Sequence, residues 1–127
     1  MLVDDDPDDR LLFEEALSKA DNSVQLKTAV DGIDALEKLD MYSGNFPDLI
    51  FMDVNMPRMD GINCLKQVKG SPNFDAIPVL MYSTSSYYRE QCLSLGAIDY
   101  IEKPNDFQKL CERVKTIINQ AQFLPVN

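Results

Sequence analysis

The sequence predicts a doubly wound α/β fold, a three-layer sandwich in which one parallel five-stranded sheet is covered by helices on both sides. Two patterns predict it. Short apolar runs alternate with amphipathic stretches five times along 127 residues, the βα rhythm of a parallel sheet. The runs are also apolar throughout rather than at every second position, which leaves the sheet no face for water. Right-handed crossovers then distribute the helices over both faces. Strand order stays open at this level, with 2-1-3-4-5 one common solution.

Leu2-Val3 forms the first strand and stops at the acidic run that begins with Asp4. Asp6 is suited to cap the next helix, Pro7 to occupy its first position, and Leu11, Leu12, Ala16 and Leu17 recur at helical spacing. Leu26 to Val30 alternates as a strand, and Asp34 to Met41 returns to helix with Ala35, Leu36 and Leu39 on one side. Leu49 to Met52 is a continuous apolar strand that ends at Asp53. After the loop Val54 to Asp60, Gly61 opens a helix carrying Ile62, Leu65 and Val68, which Gly70, Ser71 and Pro72 break.

Ile77 to Tyr82 is the most apolar strand and runs into Ser83-Thr84-Ser85-Ser86. A short helix follows to about Leu95, capped at its start by Ser85 or Ser86, with Gly96 as its C′ residue. Ile98 to Glu102 is the fifth strand, closed by Lys103-Pro104. Asp106 to about Phe123 is the last helix, with Phe107, Leu110, Val114, Ile117 and Ile118 on its inner stripe. The chain ends just after it, so one domain over residues 1–127 with no output domain is expected.

Composition narrows the chemistry. Hydrophobic residues at 45% and charged residues at 26% describe a soluble globular domain. No apolar run spans a bilayer and no signal peptide is visible, so the cytoplasm is the expected location. A formal net charge of −9 without a Lys/Arg cluster opposes binding to nucleic acid or anionic membrane. The chain has no histidine, which removes hydrolase triads and the HExxH zinc site. Cys64, Cys92 and Cys111 are too widely spaced for a disulfide framework or a zinc site and read as small buried residues. Chemistry therefore rests on carboxylates, Lys, hydroxyls and a hard cation.

Ligands of a doubly wound sheet sit beyond the carboxyl ends of its strands. Those ends carry Asp4, Asp5 and Asp6, then Asp53, then Ser83 and Thr84, then Lys103. Carboxylates that close repel one another unless a cation joins them. Mg²⁺ suits them, since it takes oxygen ligands and retains waters that a phosphoryl oxygen can replace. Lys103 supplies a point charge for such an oxygen, Ser83 a hydrogen bond, and a carboxylate nucleophile forms an aspartyl phosphate. Asp8 and Asp9, and Asp6 with them, read as helix-start carboxylates facing water and the positive end of the dipole. Tyr87 and Tyr88 are divided evenly between packing and anchoring a partner.

The segments LVDDD (Leu2 to Asp6), LIFMDVNMPRMDG (Leu49 to Gly61), PVLMYS (Pro78 to Ser83) and DYIEKP (Asp99 to Pro104) resemble the receiver domain of bacterial two-component response regulators, over essentially the whole chain. The resemblance implies the flavodoxin-like strand order 2-1-3-4-5 and a signalling switch rather than a turnover enzyme, limited to self-phosphorylation from phosphodonors and slow autodephosphorylation. It implies a phosphoryl group received on Asp53 from a histidine kinase or phosphotransfer protein. It implies Mg²⁺ held by Asp4, Asp5, Asp53 and the Asn55 backbone carbonyl. Ser83 and Lys103 would assist at the phosphoryl group, and Ser83 and Tyr100 would form the switch pair, the Tyr100 ring turning inward. It further implies a cis Lys103–Pro104 bond, a partner face over the fourth helix, fifth strand and fifth helix, and a monomer or weak phosphorylation-dependent dimer. Thr84 departs from the Ala or Gly usual after the switch hydroxyl.

Two rival readings remain. An aspartyl-nucleophile phosphatase commonly has a second Asp two residues after the first, where this chain has Asn55. A flavin-binding module needs a phosphate loop after the first strand, where Asp4 to Asp6 would repel the phosphate.

Overall fold

The computed structural model describes residues 1–121. Its strands are β1 (Leu2–Val3), β2 (Thr28–Ala29), β3 (Ile50–Met52), β4 (Val79–Ser83) and β5 (Asp99–Glu102). They alternate with α1 (Pro7–Ala20), α2 (Gly32–Met41), α3 (Gly61–Lys69), α4 (Arg89–Ser94) and α5 (Phe107–Ala121). All strands pair in parallel, in the order β2-β1-β3-β4-β5.

Successive strand residues point to opposite faces, and both faces are dry along the central strands β1, β3 and β4. Val3, Ala29, Ile50, Met52, Val79, Met81 and Tyr100 face one core with Ala35, Leu39, Cys64, Leu65, Val68 and Cys92. Leu2, Phe51, Leu80, Tyr82 and Ile101 face the other with Phe13, Ala16, Leu17, Leu110, Val114 and Ile117. Here α1 and α5 cover one side, and α2, α3 and α4 the other. The continuous apolar runs are explained by this double burial.

Several boundaries differ from the expected ones for local reasons. The second strand is shorter because Asp31 caps α2 through the Asp34 N–H at 2.8 Å, while the Asp34 carboxylate takes the Val30 N–H at 2.9 Å and turns the chain out of the sheet. In α1 the buried stripe is Phe13, Ala16 and Leu17, whereas Leu11 and Leu12 are exposed. The i, i+3, i+4 face begins at residue 13 and leaves both leucines outside it. Neither Ser85 nor Ser86 caps α4 with its side chain, since the Ser85 hydroxyl instead accepts the Tyr87 N–H at 3.1 Å and forms a turn that delays the helix to Arg89. Asp6 caps α1 as expected, Asp106 accepts the Gln108 N–H at 2.8 Å at the start of α5, and Gly96 has φ +105° beyond α4. Phe123, the expected end of the last helix, lies outside the described residues.

Register places the chemistry. Val3 pairs with Met52, and Met52 with Met81, so Asp4 and Asp53 leave the sheet side by side. Ser83 pairs with Glu102, which brings Lys103 to the same rim.

Candidate functional site

Asp4 and Asp53 emerge from the two central strands with backbone N–H groups still in the ladder, Asp4 to the Ala29 carbonyl at 3.0 Å and Asp53 to the Val3 carbonyl at 2.9 Å. Both are buried, which is unusual for carboxylates unless they are paired. One oxygen of each is satisfied locally: Asp4 Oδ1 accepts the Asp6 N–H at 3.0 Å and Asp53 Oδ1 the Val54 N–H at 2.8 Å. The other oxygens converge on Lys103, whose Nζ lies 2.7 Å from Asp4 Oδ2 and 3.3 Å from Asp53 Oδ2. Lys103 is aimed by its own N–H, which donates to the Ser83 carbonyl at 2.6 Å, and its ammonium lies 5.2 Å from the Tyr82 ring centre.

Asp5 is exposed, yet one of its oxygens falls within 4.8 Å of oxygens from Asp4 and Asp53. Three carboxylates this close, two of them buried at the ends of β-strands, form a hard, oxygen-only donor set of the kind a small divalent cation takes. Mg²⁺ fits these residues. Burial is the largest influence on Asp53 and raises its pKa; the Lys103 charge opposes it and the Asp4 charge adds to it, leaving Asp53 at about 6. Burial also works against the Lys103 ammonium, but hydrogen bonds to Asp4 and Asp9 outweigh it, and its pKa stands above the usual lysine value.

Ser83 is fully buried at the end of β4, and its hydroxyl accepts the Ser85 N–H at 3.4 Å. Thr84 beside it is exposed. The Tyr100 ring lies inside, 1% exposed, with its hydroxyl donating to the Ser85 carbonyl. Asn55 is exposed in the loop two residues past Asp53. That loop is tied down from the neighbouring turn: Arg58, at φ +63°, donates to the buried Asp31 carboxylate at 2.7 and 3.0 Å. The Arg58 hydrogen bond holds the Asp31 carboxyl below the usual range.

Two expectations are corrected. There is no cis peptide bond among the described residues, so Lys103–Pro104 is trans. The Lys103 N–H bond to Ser83 fixes the side chain before the peptide bond to Pro104, and trans is the lower-energy isomer for X–Pro in general. Asp9 does not face water alone: its Oδ2 lies 2.9 Å from Lys103 Nζ. Nothing in an acidic first turn distinguishes it from Asp8; the rotation of α1 alone turns it toward Lys103. Asp8 is exposed and pairs with no cation among the described residues. Cys64 is buried on α3, and burial pushes its thiol up to about 12, away from reactive thiolate chemistry.

Gly61 sits against the site backbone. Its N–H donates to the Val54 carbonyl at 2.8 Å, and a Cβ there would stand 1.9 Å from the Asp53 carbonyl oxygen. Helix propensity favours alanine at most by about 1 kcal/mol, and an overlap with backbone cannot be relieved by a rotamer. Gly61→Ala is therefore expected to destabilise the protein by about 3 kcal/mol, read as a lower urea midpoint with unchanged m.

Comparison with known proteins gives one consistent picture. The family model described as the response regulator receiver domain matches residues 1–115. The chain is 41% identical over 108 residues to a protein-glutamate methylesterase/protein-glutamine glutaminase of Clostridium acetobutylicum, covering 82% of this chain and 30% of that protein. It is 33% identical over 124 residues to response regulator MprA of Mycobacterium tuberculosis, covering 96% and 51%. The chain thus spans about half or less of the length of these curated relatives. Among solved structures, the phosphorylated cyanobacterial phytochrome response regulator RcpA superposes with a TM-score of 0.85 at 31% identity, over 98% of this chain and 94% of that one. A chain of the CheX-CheY-BeF3-Mg complex from Borrelia burgdorferi gives 0.70 at 30% identity, over 92% of this chain and 86% of that one.

Proposed function

The chain belongs to the response regulator receiver family, whose members are phosphoacceptor switches in two-component signalling, and we propose that Asp53 is the residue on which it takes the phosphoryl group. The observation that carries this reading is the convergence on Asp53 of one ammonium and two further carboxylates from separate strand ends. A carboxylate at the floor of such a site can attack phosphorus in line, and its neighbours supply charge rather than protons, which suits a chain without histidine.

Asp4, Asp5 and Asp53, with the Asn55 backbone carbonyl, would hold Mg²⁺. When bound, the ion neutralises charge developing on the transferred group. Lys103, 3.3 Å from Asp53, would add a second positive charge there, and the Ser83 hydroxyl would donate to a phosphoryl oxygen. Ser83 and Tyr100 relay the event to the face formed by α4, β5 and α5, with Thr84 at the mouth. Tyr87, 84% exposed and edge-to-face on Tyr88 with centroids 4.9 Å apart, offers that face an aromatic anchor. The partner supplying the phosphoryl group is a histidine kinase or phosphotransfer protein. A cytoplasmic place of action is the reading typical of the family; no described helix is long and apolar enough to cross a membrane.

Incubation with acetyl phosphate and Mg²⁺, followed by intact mass, tests the reading. One phosphoryl group is expected per chain with Mg²⁺ and essentially none in EDTA. Addition that proceeds equally well in EDTA overturns the metal-assisted mechanism, and turnover of a simple phosphomonoester revives the phosphatase alternative.

A further inference from the structure

A lysine ammonium has three donors, and all three of Lys103 are engaged: Asp4 at 2.7 Å, Asp9 at 2.9 Å and Asp53 at 3.3 Å. No donor is left for an arriving phosphoryl oxygen, so one of these contacts has to be exchanged. The contact to Asp53 is the longest, so the ammonium sits nearer to β1 and α1 than to the nucleophile. The contact to Asp4 is the shortest and both side chains are enclosed, 8% and 0% exposed. Asp9 is the outlier, its side chain 35% exposed. An ion pair open to water is weaker than an enclosed one, and its carboxylate is readily rehydrated when released. Asp9 is also carried on a helix whose start is fixed by the Asp6 cap, so it holds Lys103 at a set distance from outside the strand-end cluster.

We propose that Asp9 is a positioning residue for the phosphoryl-transfer step: it tethers Lys103 away from Asp53, and this tether is exchanged for a phosphoryl oxygen as transfer proceeds. The inference rests on Asp53 as phosphoacceptor. The step itself balances simply. An Asp53 carboxylate oxygen forms the new bond to phosphorus, the bond from phosphorus to the acetate oxygen breaks, and acetate leaves with the electron pair; no proton moves and nothing is oxidised. Asp9 touches none of the reacting atoms. It sets how readily the charge that stabilises them is delivered.

The test is the rate of phosphoryl incorporation from acetyl phosphate at saturating Mg²⁺, by intact mass against time, in the wild-type chain and in Asp9→Asn, Asp9→Glu and Asp8→Asn. Asp9→Asn is expected to react roughly three- to tenfold faster. Asp9→Glu keeps the charge and is expected to stay near the wild-type rate. Asp8→Asn removes the same charge from the same helix turn without touching Lys103, and should also stay near wild type. A rate for Asp9→Asn equal to or below wild type overturns the proposal, as does an equal acceleration in Asp8→Asn, which would make the effect one of bulk charge. Failure of the wild-type chain itself to take up phosphate removes Asp53 as acceptor, whereas a reactive wild type with an unchanged Asp9→Asn removes only the tether.

Discussion

Asp53→Asn is expected to abolish phosphoryl incorporation and, in the absence of metal, to make the protein more stable. The first effect follows from the chemistry, since an amide does not attack phosphorus as a carboxylate does; intact mass should show no phosphoryl addition even at long incubation. The second follows from the environment. Asp53 is 7% exposed and shares its surroundings with Asp4, fully buried beside it. Asparagine keeps the Oδ1 acceptor for the Val54 N–H and removes one of the mutually repelling charges. Retained phosphorylation in Asp53→Asn would falsify the assignment of the acceptor.

Asp53 moves from an ordinary value of 3.8 in the unfolded chain to about 6 in the fold, chiefly through burial. Between those values the native state binds the additional proton, so stability falls as pH rises. The stabilising contribution is complete below about pH 3.8 and has gone once pH passes through about 6. The span sets a ceiling of ~3 kcal/mol at pH 7. Water at the rim of the sheet reduces it, and Asp53→Asn is expected to gain about 1–2 kcal/mol at pH 7 in EDTA. The gain should shrink toward pH 4, measured by urea denaturation across that range. A gain independent of pH would mean that packing, not charge, is responsible.

The strand-end residues were legible because they stop apolar runs. Asp4, Asp53 and Ser83 each follow residues that can only be buried strand, Lys103 closes the edge strand just past Tyr100 and Ile101, and a parallel sheet gathers such positions on one edge. What was not legible depends on side-chain reach and helix phase. Asp9 reads as one more acidic residue in a first turn, and only the rotation of α1 directs it to Lys103. The same rotation exposes Leu11 and Leu12 and buries Phe13. The tie between Asp31 and Arg58 joins two loops 27 positions apart, and neither residue stands out by composition. Short-range hydrogen bonding moved the starts of α2 and α4, where side-chain oxygens of Asp34 and Ser85 compete for backbone N–H groups that periodicity assigns to strand or helix.

Lys103→Met should have the opposite effect on stability to Asp53→Asn. The substitution preserves length and apolar stem but leaves Asp4, fully buried, and Asp53 without their shared cation, and frees Asp9 to solvent. Removing one partner from a buried pair typically costs about 3–5 kcal/mol; the open rim places the expectation at about 3 kcal/mol at pH 7 in EDTA. Protonation of Asp53 offers an escape, so the loss should be smaller at pH 5 than at pH 7. Because Lys103 and Asp53 act on one another, the double variant Asp53→Asn/Lys103→Met should lose less than the single effects combined, a coupling that a thermodynamic cycle measures directly. Mg²⁺ should restore much of the stability of Lys103→Met, since a cation that binds only the native state stabilises it by mass action, while phosphoryl incorporation stays slow because the second positive charge at Asp53 is gone. A Lys103→Met protein as stable as wild type in EDTA at pH 7 would mean that the carboxylates at this rim are solvated well enough to need no partner, and the cluster would then lose its claim as a site poised for a cation.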